Sequence, residues 1–228
     1  MDIVYVLKNG IHGDELKYSL RSLKNFTHDK VWFYGGKPKG LVPDVMVEYS
    51  QHGRSKWEKV RNMLIAICEN DDISPEFWLF NDDFFCMKPV SHIPAYYHGT
   101  LYQRIVEIEK RYGSKTTYSK ELRKTADLLE HNGLDTKNYA VHLPMLIDRA
   151  RAKVVLEEFT ECPMFRSLYG NSCDIGGEDR DDVKIYDTFT LPQDPDWLST
   201  SNNSFEYGEV GEYIRDRFKD PSPYERDM

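Results

Sequence analysis

Residues 77–87 read FWLFNDDFFCM, so two apolar runs enclose three polar side chains. The first run, Phe77–Phe80, has the length and aromatic content of a buried strand. It leads directly into Asn81, Asp82 and Asp83. Because burial of unpaired carboxylates is costly, we expect this pair to face either solvent or a cation. The stretch therefore predicts a strand with a polar site at its carboxyl end.

Short apolar runs alternate with helix-forming segments in the residues before this stretch. The pattern predicts strands at 3–7, 31–34 and 45–49, and helices at 15–26 and 55–69. Such alternation is typical of a mostly parallel sheet covered by helices. Ligands of these sheets bind beyond the carboxyl ends of the strands, which is where Asn81, Asp82 and Asp83 are expected to lie.

The remainder of the chain has a less regular pattern. We predict an α/β protein with a single domain over residues 1–228 and a helical insertion at about 100–137. The individual predictions are helices at 105–112, 120–131, 144–159 and 208–218, short strands at 139–142, 183–186 and 197–200, and a loop at 173–182.

The composition is ordinary for a soluble protein and argues against several classes. Of the 228 residues, 40% are hydrophobic and 30% are charged, and the formal net charge of −8 argues against general nucleic-acid binding. The sequence has no run of about 18 apolar residues, so no membrane span is predicted. The N-terminal residues lack the features of a signal peptide, so we expect a cytoplasmic protein. A G-x-S-x-G motif is missing, so a serine hydrolase is not expected.

Asp82 and Asp83 suit a divalent metal ion. Mg²⁺ in proteins commonly takes one or two carboxylates and completes its coordination with phosphate oxygens and water. A metal ion with a bound diphosphate would therefore satisfy both side chains. The alternative is an ordinary acidic turn between two strands. The aromatic residues on both sides favour the metal site, because they make a fully solvated turn less favourable.

His142 and Arg166 are further candidates. His142 ends the strand predicted at 139–142, and a histidine there can reach a site beyond the sheet edge and transfer protons near neutral pH. The alternative is a core or capping histidine. Arg166 lies between aromatic residues, where its guanidinium would suit a phosphate or would pair with an acid within 178–182.

Basic residues also gather on the first two predicted helices, and helix N-termini attract phosphate. Arg21 lies on the first helix, and Arg54, Lys56, Lys59 and Arg61 lie at the start of the second. The alternative is a solvated helix face, which we favour for Lys56 and Lys59 taken individually.

Four blocks of the chain resemble, in order, the regions that characterise the Stealth proteins. They are ELKYSLRSL at 15–23, NDDFF at 81–85, VHLPMLIDR at 141–149 with the Phe165-Arg166 pair after it, and Ser199–Phe205 with PSPYE at 221–225. Stealth proteins are sugar-phosphate transferases of bacterial capsule synthesis. They include the animal enzyme that places N-acetylglucosamine-1-phosphate on lysosomal glycoproteins. The blocks span nearly the whole chain.

The resemblance implies a core like that of the GT-A glycosyltransferases, which bind nucleotide sugars. It implies that Asp82 and Asp83 form the acidic pair that holds Mg²⁺ or Mn²⁺, and that His142 and Arg166 are catalytic. Together with the basic clusters, it leads us to expect donor binding at Asn9, Gly10, Arg21, Lys56, Arg61, Asn81, Asn202 and Asn203. The chain departs from the family after the first strand, where an aromatic residue is missing, and at 201–203, where Ser-Asn-Asn replaces Asn-Asp.

We therefore expect a metal-dependent transferase that moves sugar-1-phosphate from a nucleotide sugar, with a UDP-sugar as the expected donor, to a hydroxyl of a glycan or surface polymer. Its partners would be this donor and this acceptor, and not nucleic acid. One alternative is an ordinary GT-A glycosyltransferase that transfers the sugar and releases UDP. A second is a non-catalytic module that binds sugar nucleotides or glycans.

Overall fold

The computed structural model describes residues 1–11, 13–90, 92–161 and 164–226. The strands are β1 (Asp2–Leu7), β2 (Val31–Gly35), β3 (Val45–Glu48), β4 (Glu76–Phe80), β5 (Phe84–Cys86), β6 (Tyr96–Tyr97), β7 (Met145–Asp148), β8 (Glu178–Asp179), β9 (Lys184–Ile185) and β10 (Trp197–Thr200). The helices are α1 (Asp14–Ser22), α2 (Lys56–Glu69), α3 (Leu101–Tyr112), α4 (Thr117–His131), α5 (Arg149–Glu158), α6 (Phe165–Ser172), α7 (Asn202–Tyr207) and α8 (Glu209–Arg217), and a short 3₁₀ turn spans Leu23–Asn25.

The central sheet has five strands in the order β3-β2-β1-β4-β7. Strands β1 to β4 run parallel, and β7 pairs with β4 in the antiparallel sense. Helices cover both faces, because alternate residues of β1 pack into different clusters: Ile3, Tyr5 and Leu7 with α1, and Val4 with α2 and α4 to α6. The α/β class and the mixed, mostly parallel sheet predicted from the sequence are confirmed.

A second sheet lies at the carboxyl end of β4. Strand β5 follows the turn at residues 81–83 and pairs antiparallel with β10, which in turn pairs parallel with β9. Residue Ser199 lies opposite Phe84 on one side and Lys184 on the other. The pairing therefore brings two late segments of the chain beside the acidic turn.

The region from 139 to 159 differs from the prediction. Residues 139–142 run irregularly instead of forming a strand, and the strand is Met145–Asp148. The predicted helix at 144–159 begins only at Arg149, with the Asp148 side chain accepting from the Arg151 backbone N–H as its N-cap. Pro144 suits a helix start, but the apolar residues after it complete the sheet edge against β4.

Smaller differences occur in the first two helices. Helix α1 begins at Asp14 with Gly13 as its N-cap residue at φ 88°. It gives way to the 3₁₀ turn after Ser22, whereas the predicted helix continued to residue 26. Helix α2 matches its prediction and is capped by Ser55, whose side chain accepts from the Glu58 N–H. Val60 on this helix is 38% exposed.

The described helices include none that is both long and apolar enough to cross a lipid bilayer.

Candidate functional site

Two cavities meet at the carboxyl ends of β1 and β4. The first, of about 370 Å³, lies between α2 and α6. The second, of about 540 Å³, lies beside α1 and α7. Asp82 lines both cavities. The first is lined on its other sides mainly by apolar and basic side chains, among them Trp57, Val60, Arg61, Phe165 and Arg166.

A third cavity, of about 460 Å³, adjoins both of the others. It shares Val6, Lys56 and Val60 with the first cavity and Lys8 with the second. Its polar lining is mostly basic or neutral and comprises Lys8, Asn9, Gln51, Arg54, Ser55, Lys56 and Lys59. The carboxyl edge of the sheet thus carries a connected groove with a basic end and an acidic middle. This is the edge at which the order of parallel strands predicts ligand binding.

The glycine after β2 keeps this edge close to β1. A Cβ at Gly36 would clash with the carbonyl oxygen of Lys8, so the two chain segments approach more closely than a larger residue would allow. Gly10, also predicted to contact the donor, occupies the turn after β1 at φ 72°.

The two aspartates of the acidic turn differ in their contacts. Asp83 is buried, and its Oδ2 accepts from Lys184 Nζ at 2.6 Å and from Ser199 Oγ at 2.9 Å. Burial tends to lower the pKa of Lys184, but Asp83 raises it overall. Asp82 lines the groove, and burial together with the neighbouring Asp83 raises its pKa. The first aspartate of the pair is thus presented to the groove, and the second is bound to a lysine.

Glu15 adds a third carboxylate that the sequence reasoning missed. It lines the second cavity together with Asp82, and its Oε1 accepts from Thr200 Oγ1 at 2.8 Å. Burial, followed by the charges of Asp83 and Asp82, raises the pKa of Glu15 to about 7. Glu15 is the first residue of the 15–23 block, and this position could have indicated a role in the site. Only Arg21 of that block was predicted to bind a ligand.

Arg166 closes the inner side of the first cavity. Its Nη1 donates to the Leu143 carbonyl at 2.7 Å and its Nη2 to the Leu79 carbonyl at 3.1 Å. Burial lowers its pKa to about 10, while Asp83 and Asp182 act in the opposite direction. The guanidinium hydrogen bonds to two carbonyls instead of pairing directly with an acid of 178–182. It still lies within the electrostatic reach of both the acidic turn and Asp182.

His142 is held by an acid that the sequence reasoning did not single out. Its backbone N–H donates to Asp182 Oδ1 at 2.9 Å, and its Nδ1 lies 2.7 Å from Asp182 Oδ2. The irregular segment before it is fixed by α6, because the Tyr139 N–H donates to Ser167 Oγ and Gly170 leaves room for the Tyr139 ring. His142 and Asp182 are 40 positions apart in the chain, which explains why no local pattern revealed this contact.

The predicted site residues lie at different places relative to the groove. Those that line the groove are Asn9, Lys56, Arg61, Asn81, Asp82, Arg166 and Asn202. Asp83 adjoins Asp82 in the acidic turn. His142 lines none of the three cavities, but Ala140 before it lines the first cavity and the Leu143 carbonyl after it accepts from Arg166. Asn203 is exposed at the start of α7.

Arg21 lies elsewhere. Its Nε and Nη2 donate to the two carboxylate oxygens of Glu225 at 2.8 and 2.7 Å, and its Nη1 donates to the carbonyls of Phe218 and Lys219. The hydrogen bonds that Arg21 donates to Glu225 raise the pKa of the guanidinium, and burial acts in the opposite direction. The structure therefore ties Arg21 to the C-terminal segment and does not bring it to the groove in the described part of the chain.

A divalent cation is compatible with the acidic turn, although the turn is not a preformed cage. Among residues 1–11, 13–90, 92–161 and 164–226, no three His, Cys, Asp or Glu side chains are grouped as metal ligands. Asp82 presents a carboxylate whose pKa is raised by burial and by Asp83, so a cation there would relieve an unfavourable charge. Mg²⁺ needs few protein ligands where phosphate oxygens complete its coordination. The residues present therefore fit a cation bound jointly with a diphosphate.

No protein-family model matches the chain, and no curated protein matches it either.

Proposed function

We propose that this protein is a metal-dependent transferase that moves sugar-1-phosphate from a nucleotide sugar, of the UDP-sugar class, to a hydroxyl of a glycan or surface polymer. The observation that carries the proposal is the position of Asp82, where an apolar and basic cavity meets a polar one at the carboxyl edge of the sheet. Two adjoining cavities suit a reaction that joins two substrates. The acidic residue between them lies where a diphosphate would be cleaved.

The first and third cavities suit the donor. Trp57 and Phe165 offer aromatic surface, and Arg61, Lys56 and Arg166 offer positive charge beside it. Apolar surface with a few placed cations matches a ligand that carries a ring at one end and phosphates at the other. The second cavity, which contains Glu15 and Asn202, is left for the acceptor.

Asp82, with Asp83 beside it, would hold Mg²⁺ or Mn²⁺. When bound, such an ion neutralises charge on a diphosphate as its leaving group departs. Lys184 and Ser199 hold the Asp83 carboxylate in place, and this contact also fixes the end of β4 from which Asp82 projects.

His142 and Arg166 supply the remaining chemistry. His142 would accept the proton of the acceptor hydroxyl as that oxygen bonds to the sugar-proximal phosphorus, and the bond from phosphorus to the UMP oxygen breaks. Arg166 would stabilise negative charge on the phosphoryl oxygens, which matches its fixed guanidinium at the inner wall of the cavity. Attack at the anomeric carbon instead would transfer the sugar alone and release UDP.

The proposal extends to kinship with the Stealth family and to a GT-A-like core. Support comes from the four ordered sequence blocks, and from the fact that each of them contributes at least one side chain to the lining of the groove. A donor that cells make in the cytoplasm also supports a cytoplasmic site of action. Fold alone does not determine chemistry, so the nucleotide product is the deciding observation.

The test is donor turnover in the presence of Mg²⁺ or Mn²⁺. The protein is incubated with a panel of nucleotide sugars and a mixed glycan pool, and the released nucleotides are resolved by chromatography. We expect UMP, with loss of release in Asp82→Asn and His142→Ala. His131→Ala, which alters an exposed histidine in the last turn of α4, is the matched control and should retain activity.

Other outcomes would contradict the proposal. Release of UDP would identify an ordinary glycosyltransferase. No release from any donor, combined with UDP binding that shifts the melting temperature, would identify a non-catalytic binding module. No release and no thermal shift would reject the nucleotide-sugar site itself.

A further inference from the structure

The contact between His142 and Asp182 carries an inference beyond the proposed roles. Both carboxylate oxygens of Asp182 contact His142. Oδ1 accepts from the His142 backbone N–H at 2.9 Å, and Oδ2 lies 2.7 Å from Nδ1 of the His142 ring. The side chains of both residues are 23% exposed, so the pair is partly shielded from solvent. A carboxylate that accepts at Nδ1 favours the imidazole tautomer with a proton on Nδ1 and a lone pair on Nε2.

We propose that Asp182 is the positioning residue that fixes the His142 ring and its tautomer, so that Nε2 is the atom that accepts the acceptor's proton. This inference rests on the proposed function for its catalytic consequence, but the tautomer itself can be measured without any substrate. Asp182 lies in the polar segment 173–182, to which the sequence pattern assigned only a loop.

The surroundings of Asp182 are suited to this role. Two residues further on, Lys184 is anchored to Asp83, and the Ser199 N–H donates to the Val183 carbonyl. The segment that carries Asp182 is thus tied to the same strands that hold the acidic turn. One short segment therefore contacts both His142 and Asp83, and so connects the proposed base to the acidic turn.

The charged neighbours favour an ionised Asp182. Burial alone would raise its pKa, but the hydrogen bonds and charge of His142, with a contribution from Arg104 on α3, lower it overall. Arg166 on α6 also interacts with Asp182, and Tyr186, just after β9, lies within range. An ionised carboxylate both orients a neutral imidazole and stabilises the imidazolium formed when the proton arrives.

The proton balance of the step is simple. The acceptor O–H bond breaks as Nε2–H forms, the acceptor oxygen bonds to phosphorus, and UMP leaves with the electron pair of the broken P–O bond. The proton is then lost from Nε2 to solvent or to the leaving group. Asp182 keeps its charge throughout and takes no proton.

The first test is ¹⁵N NMR of the histidine rings in the full-length protein, at a pH where the His142 ring is neutral. We expect His142 to show a protonated Nδ1 and an unprotonated Nε2. Asp182→Asn should lose this preference, and Asp182→Glu should recover part of it. Asp181→Asn is the matched control, because that neighbouring side chain is 99% exposed, and it should leave the tautomer unchanged.

The result for the wild-type protein alone can overturn the inference. A proton on Nε2 of His142 would contradict it even if the variants fail to fold. An unchanged tautomer in a folded Asp182→Asn would also contradict it, since another group would then orient the ring.

The second test is kinetic. Asp182→Asn should lower kcat by about 10²–10⁴-fold with little change in KM, and Asp182→Glu should restore part of the loss. A folded Asp182→Asn with wild-type kcat would overturn the catalytic part. If the wild-type protein turns over no donor while His142 shows the expected tautomer, the proposed function fails and the positioning by Asp182 stands.

Discussion

Asp82 and Asp83 are neighbours in the chain but belong to two different regions of the molecule. Asp82 belongs to the groove and lines two cavities, whereas Asp83 is buried beside the second sheet and bound to Lys184 and Ser199. Two carboxylates repel each other most when both are removed from water, so the protein neutralises one with an internal cation. The comparison indicates that Asp83 is chiefly structural and that Asp82 is available for ligand.

The largest expected effect is on stability and follows from removal of the internal cation. Lys184→Met leaves the Asp83 carboxylate buried without its charged partner, which typically costs about 3–5 kcal/mol. The free energy of unfolding, measured by urea denaturation, should fall by that amount. The double variant Lys184→Met/Asp83→Leu should recover much of it. Equal stability of Lys184→Met and wild type would mean that Asp83 does not depend on the lysine.

The second prediction separates the two aspartates by activity. Asp82→Asn should lower kcat by about 10²–10³-fold, the size expected when one group that stabilises transition-state charge is lost. Its unfolding free energy should not fall, because an amide relieves the repulsion with Asp83. Asp83→Asn should mainly reduce stability. A loss of stability in Asp82→Asn with intact turnover would reverse the assignment of the two residues.

The third prediction compares the Lys184–Asp83 pair with a remote one, Arg21–Glu225. Arg21→Met should cost about 1–3 kcal/mol, since it removes charge-assisted hydrogen bonds from a partly buried carboxylate. It should also make the C-terminal segment more sensitive to protease. Donor binding, measured by calorimetry, should be unchanged. A large loss of donor affinity with unchanged stability would restore the donor-binding role expected from the sequence.

The smallest expected effect concerns Glu15 and pH. Folding raises the pKa of Glu15 from 4.5 to about 7, so the folded state binds its proton more tightly than the unfolded state. Stability therefore falls as pH rises from about 4.5 to about 7. Glu15→Gln should remove this fall and be more stable above pH 7 by about 1–2 kcal/mol, after allowance for partial solvation. Urea denaturation across this pH range, in a chelating buffer, would reject the prediction if both proteins show the same slope.

Local patterns predicted the first half of the fold well. Strands β1 to β4 and helix α2 lie close to where the apolar periodicity predicted them. The end of α4 at His131 also matches the helix predicted at 120–131. These features depend on residues close together in the chain, whose side chains share one face of a helix or strand.

The region after residue 138 was predicted less well. Pro144 and the apolar residues after it fit a helix start as well as a strand, and only pairing with β4 decides between them. Helix α6 was not predicted, and the strand expected at 139–142 is irregular because side chains of Ser167 and Asp182 satisfy its backbone donors. Those partners are distant in sequence, so no window of neighbouring residues contains the information.

The sequence by itself determined the α/β class and the acidic turn after β4, and it identified Arg166 and His142 as candidate site residues. The tertiary structure decided which aspartate faces the groove, that Asp182 binds His142, and that Arg21 binds the C-terminal segment. The physical reason is the range of the interactions. Hydrophobic periodicity acts between near neighbours, whereas the charge pairs join residues 40, 101 and 204 positions apart, and their contacts exist only after the chain has folded.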